Sequence, residues 1–125
     1  YIKRLEFYCN LDIKELSEGG GLEKEAALIK KELVPGCFTV AMCIEGKQLS
    51  SEELADLIDR AQIGGKSTIC IIIGSSEGMS DEIKRLADAK ISMSRMTFPH
   101  HLARVMILEQ IYRAMNILSG GKYHK

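Results

Sequence analysis

The run Thr68-Ile69-Cys70-Ile71-Ile72-Ile73 restricts the possible folds more than any other stretch of the chain. It is apolar without alternation, so it does not suit a sheet with one wet face. Strands of this kind are covered on both faces, as in parallel sheets, and we expect this one at a sheet's centre. The neighbouring segments agree. Phe38 to Ile44 is a second run rich in β-formers, bounded by Gly36 and Gly46. A short last strand is expected from Ile91 to Ser94. Between the strands, apolar residues recur at helical spacing. Leu22, Ala26, Ile29 and Leu33 mark one amphipathic helix, closed by Pro35-Gly36. Ser50 and Glu53 form a capping box ahead of a second, whose inner face is Leu54, Leu57, Ile58 and Ala61, and Gly64-Gly65 stops it. Ser80 caps a third, with Ile83, Leu86 and Ala87 inside. The βαβαβ order calls for an α/β fold with a mostly parallel sheet and helices on both faces.

The N-terminal part is less regular. Tyr1 to Leu5 reads as the close of a helix, and Cys9, Leu11 and Ile13 alternate with polar residues as in a half-buried strand. Gly19-Gly20-Gly21 marks a loop. The first residue is Tyr1 and not Met, and we expect an N-terminal strand and part of the first helix to be missing.

At 125 residues the chain fits one domain, and its 46% apolar content is ordinary for a globular protein. Seventeen basic residues balance 17 acidic ones, so net charge exerts no overall pull toward nucleic acid or membrane. RNA contact would need local basic patches, and neutrality favours self-association. Cys9, Cys37, Cys43 and Cys70 form no CxxC pair and have no histidine at zinc-ligand spacing. We therefore expect reduced thiols, no metal and a cytoplasmic protein. The sequence has no signal peptide and no membrane-length apolar run.

The last helix, expected over 102–118, is apolar nearly all round, with Glu109, Arg113 and Asn116 as its one polar strip. Such a helix needs covering on more than one side, most simply by a second copy of the chain, so a homodimer is expected. Just before it, a short loop with Pro99 leads to His100 and His101, whose plain role would be to cap the helix. As neighbours, their side chains point apart and make a poor metal pair. The loop Gly74-Ser75-Ser76-Glu77-Gly78 could cradle an anion, but it is neither a Walker A loop nor a GxGxxG turn. Arg104 and Arg113 could be ordinary surface ion-pair partners. The tail 120–125 reads on composition as frayed. Yet Lys122, Tyr123, His124 and Lys125 would suit stacking on an unpaired base while holding phosphate.

Ile72-Ile73-Gly74, Glu77-Gly78-Met79, Met96-Thr97-Phe98-Pro99-His100, Arg104-Val105, Glu109-Gln110-Ile111-Tyr112-Arg113-Ala114 and Tyr123-His124-Lys125 occur in this order. Together they resemble the RlmH family, SPOUT-class methyltransferases acting on N3 of a pseudouridine in large-subunit (23S) ribosomal RNA. The resemblance runs from Tyr1 to Lys125. It implies a single SPOUT α/β domain with a C-terminal trefoil knot, an exception to the rule against knots. It also implies S-adenosylmethionine (SAM) as methyl donor and an obligate homodimer. Carried over residue by residue, the cofactor site would be Met42, Gly74 with Ser75, and Met93, Ser94, Arg95, Met96, Thr97 and Phe98. Gly74-Ser75 replaces the family's Gly-Gly, so less room is expected there.

The chemistry implied is attack of the pseudouridine N3 on the sulfonium methyl group. N3 must first lose its proton, which calls for a base or a stabilising cation. His100, Glu109 and His124 are the candidate bases, with Arg104, Arg113 or Lys125 as stabilisers. Arg104, Arg113, Tyr123 and His124 are expected to face RNA, assembled across the dimer and docking on 23S rRNA within the large subunit or whole ribosome. The rival readings are a SPOUT methyltransferase of tRNA or another rRNA position, a catalytically silent RNA-binding knot dimer, and a flavodoxin-like nucleotide binder.

Overall fold

A computed structural model describes residues 2–16, 20–75 and 78–124. Tyr1, Gly19, Ser76, Glu77 and Lys125, which figure in the sequence reading, lie outside them. Eight elements follow in chain order: α1 (Ile2–Glu6), α2 (Leu22–Glu32), β1 (Phe38–Gln48), α3 (Ser51–Ile63), β2 (Ile69–Ile73), α4 (Asp81–Leu86), β3 (Ala89–Ser92) and α5 (His100–Leu118). The three strands form one parallel sheet in the order β2-β1-β3.

The fold class agrees with the sequence reading, but the apolar run at 69–73 is an edge strand and β1 is the centre. Lack of alternation reports cover on both faces, not a place in the middle. Ile72 packs with Ala26, Ala41, Met79 and Ile83 in one cluster, while Ile69 meets Ala55, Ile58 and Ala114 in another. An edge strand between two helical layers is apolar on both sides just as a central one is.

β1 does not end before Gly46, as expected, but continues to Gln48. Met42 and Lys47 both pair with Ile91, so residues 43–46 bulge away from β3 and the strand then rejoins it. A Cβ on Gly46 would sit 2.6 Å from the backbone of Ile91, so only glycine lets the two chains close. The expected strand over 9–14 is absent: among the described residues nothing offers that segment a ladder, and alternation alone cannot hold a strand. Lys14 bonds Glu32 on α2 instead, at 2.9 Å, and Ile13 remains exposed.

The helices start as their sequences indicate. Ser50 accepts from the Glu53 amide at 3.1 Å and Glu53 accepts from the Ser50 amide at 2.9 Å, completing the capping box of α3. Ser80 accepts from Ile83 N at the start of α4. In α4, Ile83 is fully buried, but Leu86, the last helical residue, is 37% exposed and not an inner residue. α5 begins at His100, two residues earlier than expected, with Pro99 at the N-cap position and no side-chain cap. His100 and His101 do not cap it. They stand in its first turn with ring centroids 4.1 Å apart. One face of α5 packs on α3, while Leu102, Val105 and Leu118 remain exposed.

These environments separate two neighbouring substitutions. Ile83→Ala should cost about 2–5 kcal/mol in urea unfolding, and Leu86→Ala only a small fraction of that.

Candidate functional site

Parallel pairing places the carboxyl ends of the strands at one edge. Met42 lies opposite Ile73 on one side and Ile91 on the other. Gly74, after β2, and Met93, after β3, therefore leave the sheet at the same edge, with β1 between them. Such an edge is where open α/β sheets bind ligands. Gly74 is pinned: a Cβ there would meet the Gly78 carbonyl oxygen at 2.6 Å. Gly78, at φ +93°, turns the chain back, and its amide donates to the Ser75 carbonyl at 2.9 Å. The Ser75 hydroxyl donates to Glu25 Oε1 on α2 at 2.8 Å. Its side chain is thus directed to α2, and the close backbone approach belongs to Gly74.

Residues 93–99 form no helix or strand. Ser92 Oγ donates to the Ser94 carbonyl at 2.9 Å, and Ser94 Oγ accepts from the Met96 amide at 3.1 Å. Met96 is 71% exposed. A cavity of about 550 Å³ runs between the sheet, α3 and α5, walled by residues such as Val40, Ile58, Ile71 and Ile107. Met42 and Met93 line it, as do Ser50, Ser51, Glu109 and Gln110. Gly74, Ser75, Ser94, Arg95, Met96, Thr97 and Phe98 do not.

A second constellation lies on α5 and the chain that follows. Arg113 is its hub. Its Nε and Nη2 donate to Glu109 Oε1 at 2.8 and 2.6 Å, and its guanidinium lies 4.7 Å from the Tyr123 ring centroid. Its Nη1 lies 3.0 Å from His124 Nδ1. Arginine only donates, so Nδ1 accepts and the neutral ring carries its proton on Nε2. That nitrogen faces Glu52 Oε1 at 2.5 Å. Tyr123 OH donates to Glu109 at 3.2 Å, and Gln110 links Glu109 to Ser51. The hydrogen bond from His124 holds the Glu52 carboxyl below the usual carboxylate range.

The tail 120–124 is therefore folded back and not frayed. Gly120, at φ +77°, turns the chain, and the Gly121 amide donates to the Asn116 carbonyl at 2.8 Å. Asn116, read from sequence as part of the polar strip of α5, is buried. Its Oδ1 accepts from the Tyr123 amide and its Nδ2 donates to Tyr8 OH, each at 3.0 Å.

The chain matches the model of the family described as Predicted SPOUT methyltransferase over residues 1–124. The chain belongs to the SPOUT methyltransferase family. It is 43% identical to the Ribosomal RNA large subunit methyltransferase H of Bacillus pumilus (strain SAFR-032). It is 44% identical to the proteins of the same name from Clostridium botulinum strains Kyoto and Okra. Each alignment covers 100% of this chain and 86% of the relative.

For this SPOUT chain, the expected polar site divides in two. Glu109, Arg113, Tyr123 and His124 come together; His100 and Arg104 stand apart. Nine residues separate His100 from Glu109 and Arg104 from Arg113, a half-turn out of phase and about 13 Å along a helix. Arg104 pairs with Glu15, and that contact lowers the Glu15 carboxyl pKa. Sequence reasoning missed Glu52, which stands beside the Ser50–Glu53 capping box and carries no local signal of its own, and it missed the burial of Asn116. Gly121 held a usable signal, since any Cβ there would overlap the Asn116 side chain at 2.3 Å. Among the described residues no three His, Cys, Asp or Glu gather at one point, and no helix is long and apolar enough to cross a membrane.

Asn116→Ala should untie the tail. Tryptic cleavage after Lys122 should quicken, and stability should fall by about 1–3 kcal/mol. The Glu52–His124 contact sets a pH window as well. Glu52's folded pKa is depressed, so its contribution is complete above its unfolded value of about 4.3 and is lost as pH falls through the lowered value. His124 ring resonances followed by NMR should report release of the tail on that acid limb.

Proposed function

We propose that this chain is a SAM-dependent methyltransferase that modifies N3 of a pseudouridine in the ribosomal RNA of the large subunit. The observation that carries the reading is the 43–44% identity, along the whole chain, to proteins named for methylation of large-subunit ribosomal RNA. The polar cluster on α5 supports it, because its parts suit the chemistry.

Of the residues expected to hold the cofactor, Met42 and Met93 reach the cavity and the others lie outside it. Met42 and Met93 offer thioether and apolar walls to a cavity whose size is normal for a ligand of this class. The irregular backbone at Ser94, Arg95, Met96, Thr97 and Phe98 leaves peptide groups outside any ladder, suited to the hydrogen-bonding edge of an adenine. Gly74 keeps the neighbouring turn close to the sheet, and the exposed Met96 side chain can close over a ligand. When bound, SAM supplies an electrophilic methyl group on a sulfonium.

The protein must then take a proton from an imide nitrogen and hold the anion that results. Glu109 and His124 are acceptors, and Arg113 is a permanent cation touching both. Tyr123 lies on the Arg113 guanidinium and bonds Glu109, so the tail and the helix are organised as one unit. Glu52 fixes the tautomer of His124, so that Nδ1 is the nitrogen that accepts from Arg113. Arg104 and His100, on the opposite side of α5, would meet this cluster only from a second copy. The exposed Leu102 and Val105 beside them suit the apolar seam of a homodimer.

Methyl transfer from SAM should be seen with large-subunit particles or whole ribosomes and more weakly with free rRNA. The modified nucleotide should map to a pseudouridine, and a product in tRNA would overturn the substrate. Removing residues 123–125 should abolish turnover while calorimetry still detects SAM binding. Unchanged turnover would remove the tail from the mechanism.

A further inference from the structure

Four aromatic rings lead from the candidate catalytic cluster to the protein surface. Tyr123 packs edge-on against Tyr112 with centroids 4.8 Å apart, Tyr112 lies 5.9 Å from Tyr8, and Tyr8 lies 5.3 Å from Phe7. The inner three are partly buried, whereas Phe7 is 86% exposed just beyond the end of α1. A ring held in water at the end of an ordered series differs from the scattered exposed apolar residues that need no account. The helix before it has a small excess of cations. α1 carries Lys3 and Arg4 against one acid, Glu6, and the Arg4 guanidinium lies 5.8 Å from the Tyr112 ring centroid.

Exposed aromatic faces beside cations are how proteins hold unpaired nucleotides. Each base has a π-face to stack, and the phosphates beside it are met by the positive charges. We propose that Phe7, with Tyr8, Tyr112 and Arg4, is a second RNA contact, a stacking surface for an unpaired nucleotide flanking the one modified. It rests on the large-subunit RNA reading above and adds to it. The ring series ends on Tyr123, so a base on Phe7 and a base at the Glu109–Arg113–His124 cluster could belong to one strand. Asn116 makes the link rigid, since it donates to Tyr8 OH and accepts from the Tyr123 amide. The surface therefore positions substrate and takes no part in the chemical step. The bulk of the Phe7 ring lies in solvent, so its replacement should leave the fold intact.

The test uses the full chain, a fluorescein-labelled oligouridylate as RNA probe, and the variants Phe7→Ala and Phe7→Tyr. In anisotropy titrations Phe7→Ala should weaken binding roughly 5- to 100-fold, and Phe7→Tyr should bind like the wild type. With large-subunit particles, Phe7→Ala should raise KM and leave kcat and SAM affinity unchanged. Wild type that does not bind the probe, or equal binding by wild type and Phe7→Ala, would overturn the proposal. So would a change of sedimentation mass in Phe7→Ala, which would assign the ring to a seam between two copies. If binding depends on Phe7 but wild type transfers no methyl group to large-subunit particles, the substrate reading fails and the stacking surface stands.

Discussion

Met42 sits in one hydrogen-bonded row between Ile73 and Ile91, across three strands that run the same way. That parallel row is what the remaining structure depends on. Parallel strands cannot be joined by tight turns, so each connection must cross a face of the sheet, and helices end up on both. β2 and β3 then end just past this row at one edge, while β1 bulges there and runs on to Gln48. Gly74 and Met93 leave the sheet at that edge, one on each side of β1, although 19 positions separate them in the chain. The glycines matter where backbones meet: Gly46 lets β1 rejoin β3, and Gly74 lets the following turn fold onto itself.

α5 gives this scaffold its candidate site. Residues four apart on a helix share a face, and residues nine apart do not. Glu109 and Arg113 are therefore paired, while His100 and Arg104 project elsewhere. Arg113 satisfies several demands at once, as an ion-pair partner for Glu109, a donor to His124 and a cation on the ring of Tyr123. Held inside this network it is not a loose surface arginine of the kind that contributes little. The tail closes the cluster because Asn116 reaches it from a buried position and leaves no polar atom idle.

Much of the fold could be read from local patterns. The capping box at Ser50 and Glu53, the cap at Ser80 and the periodic faces of α2 and α3 are short-range effects that need few distant residues. The errors share a cause. Residues 9–14 alternate like a strand but have no ladder to join among the described residues, and residues 69–73 are apolar on both sides yet lie at an edge. In each case the residue pattern describes a side-chain environment, and strand pairing is a separate, non-local fact. The site divides along the same line. Glu109 and Arg113 are legible as an i, i+4 pair, but Glu52 is 72 residues from His124, and nothing in its local sequence points there.

By itself the sequence determined the fold class, the family motifs and the identities of the groups that could do chemistry, because these depend on residue type and on spacings within one or two turns. Only the tertiary structure decided which of those groups meet. It folded the tail onto α5, buried Asn116, separated Arg104 from Arg113 and turned the Ser75 hydroxyl toward Glu25. Those outcomes depend on the phase of a helix and on the sign of φ at Gly120, which together set where distant atoms arrive. The loop that begins at Met93 shows both sides. Its residue types mark it as special, and its place at the same sheet edge as Gly74 exists only because β2 and β3 run the same way on either side of β1.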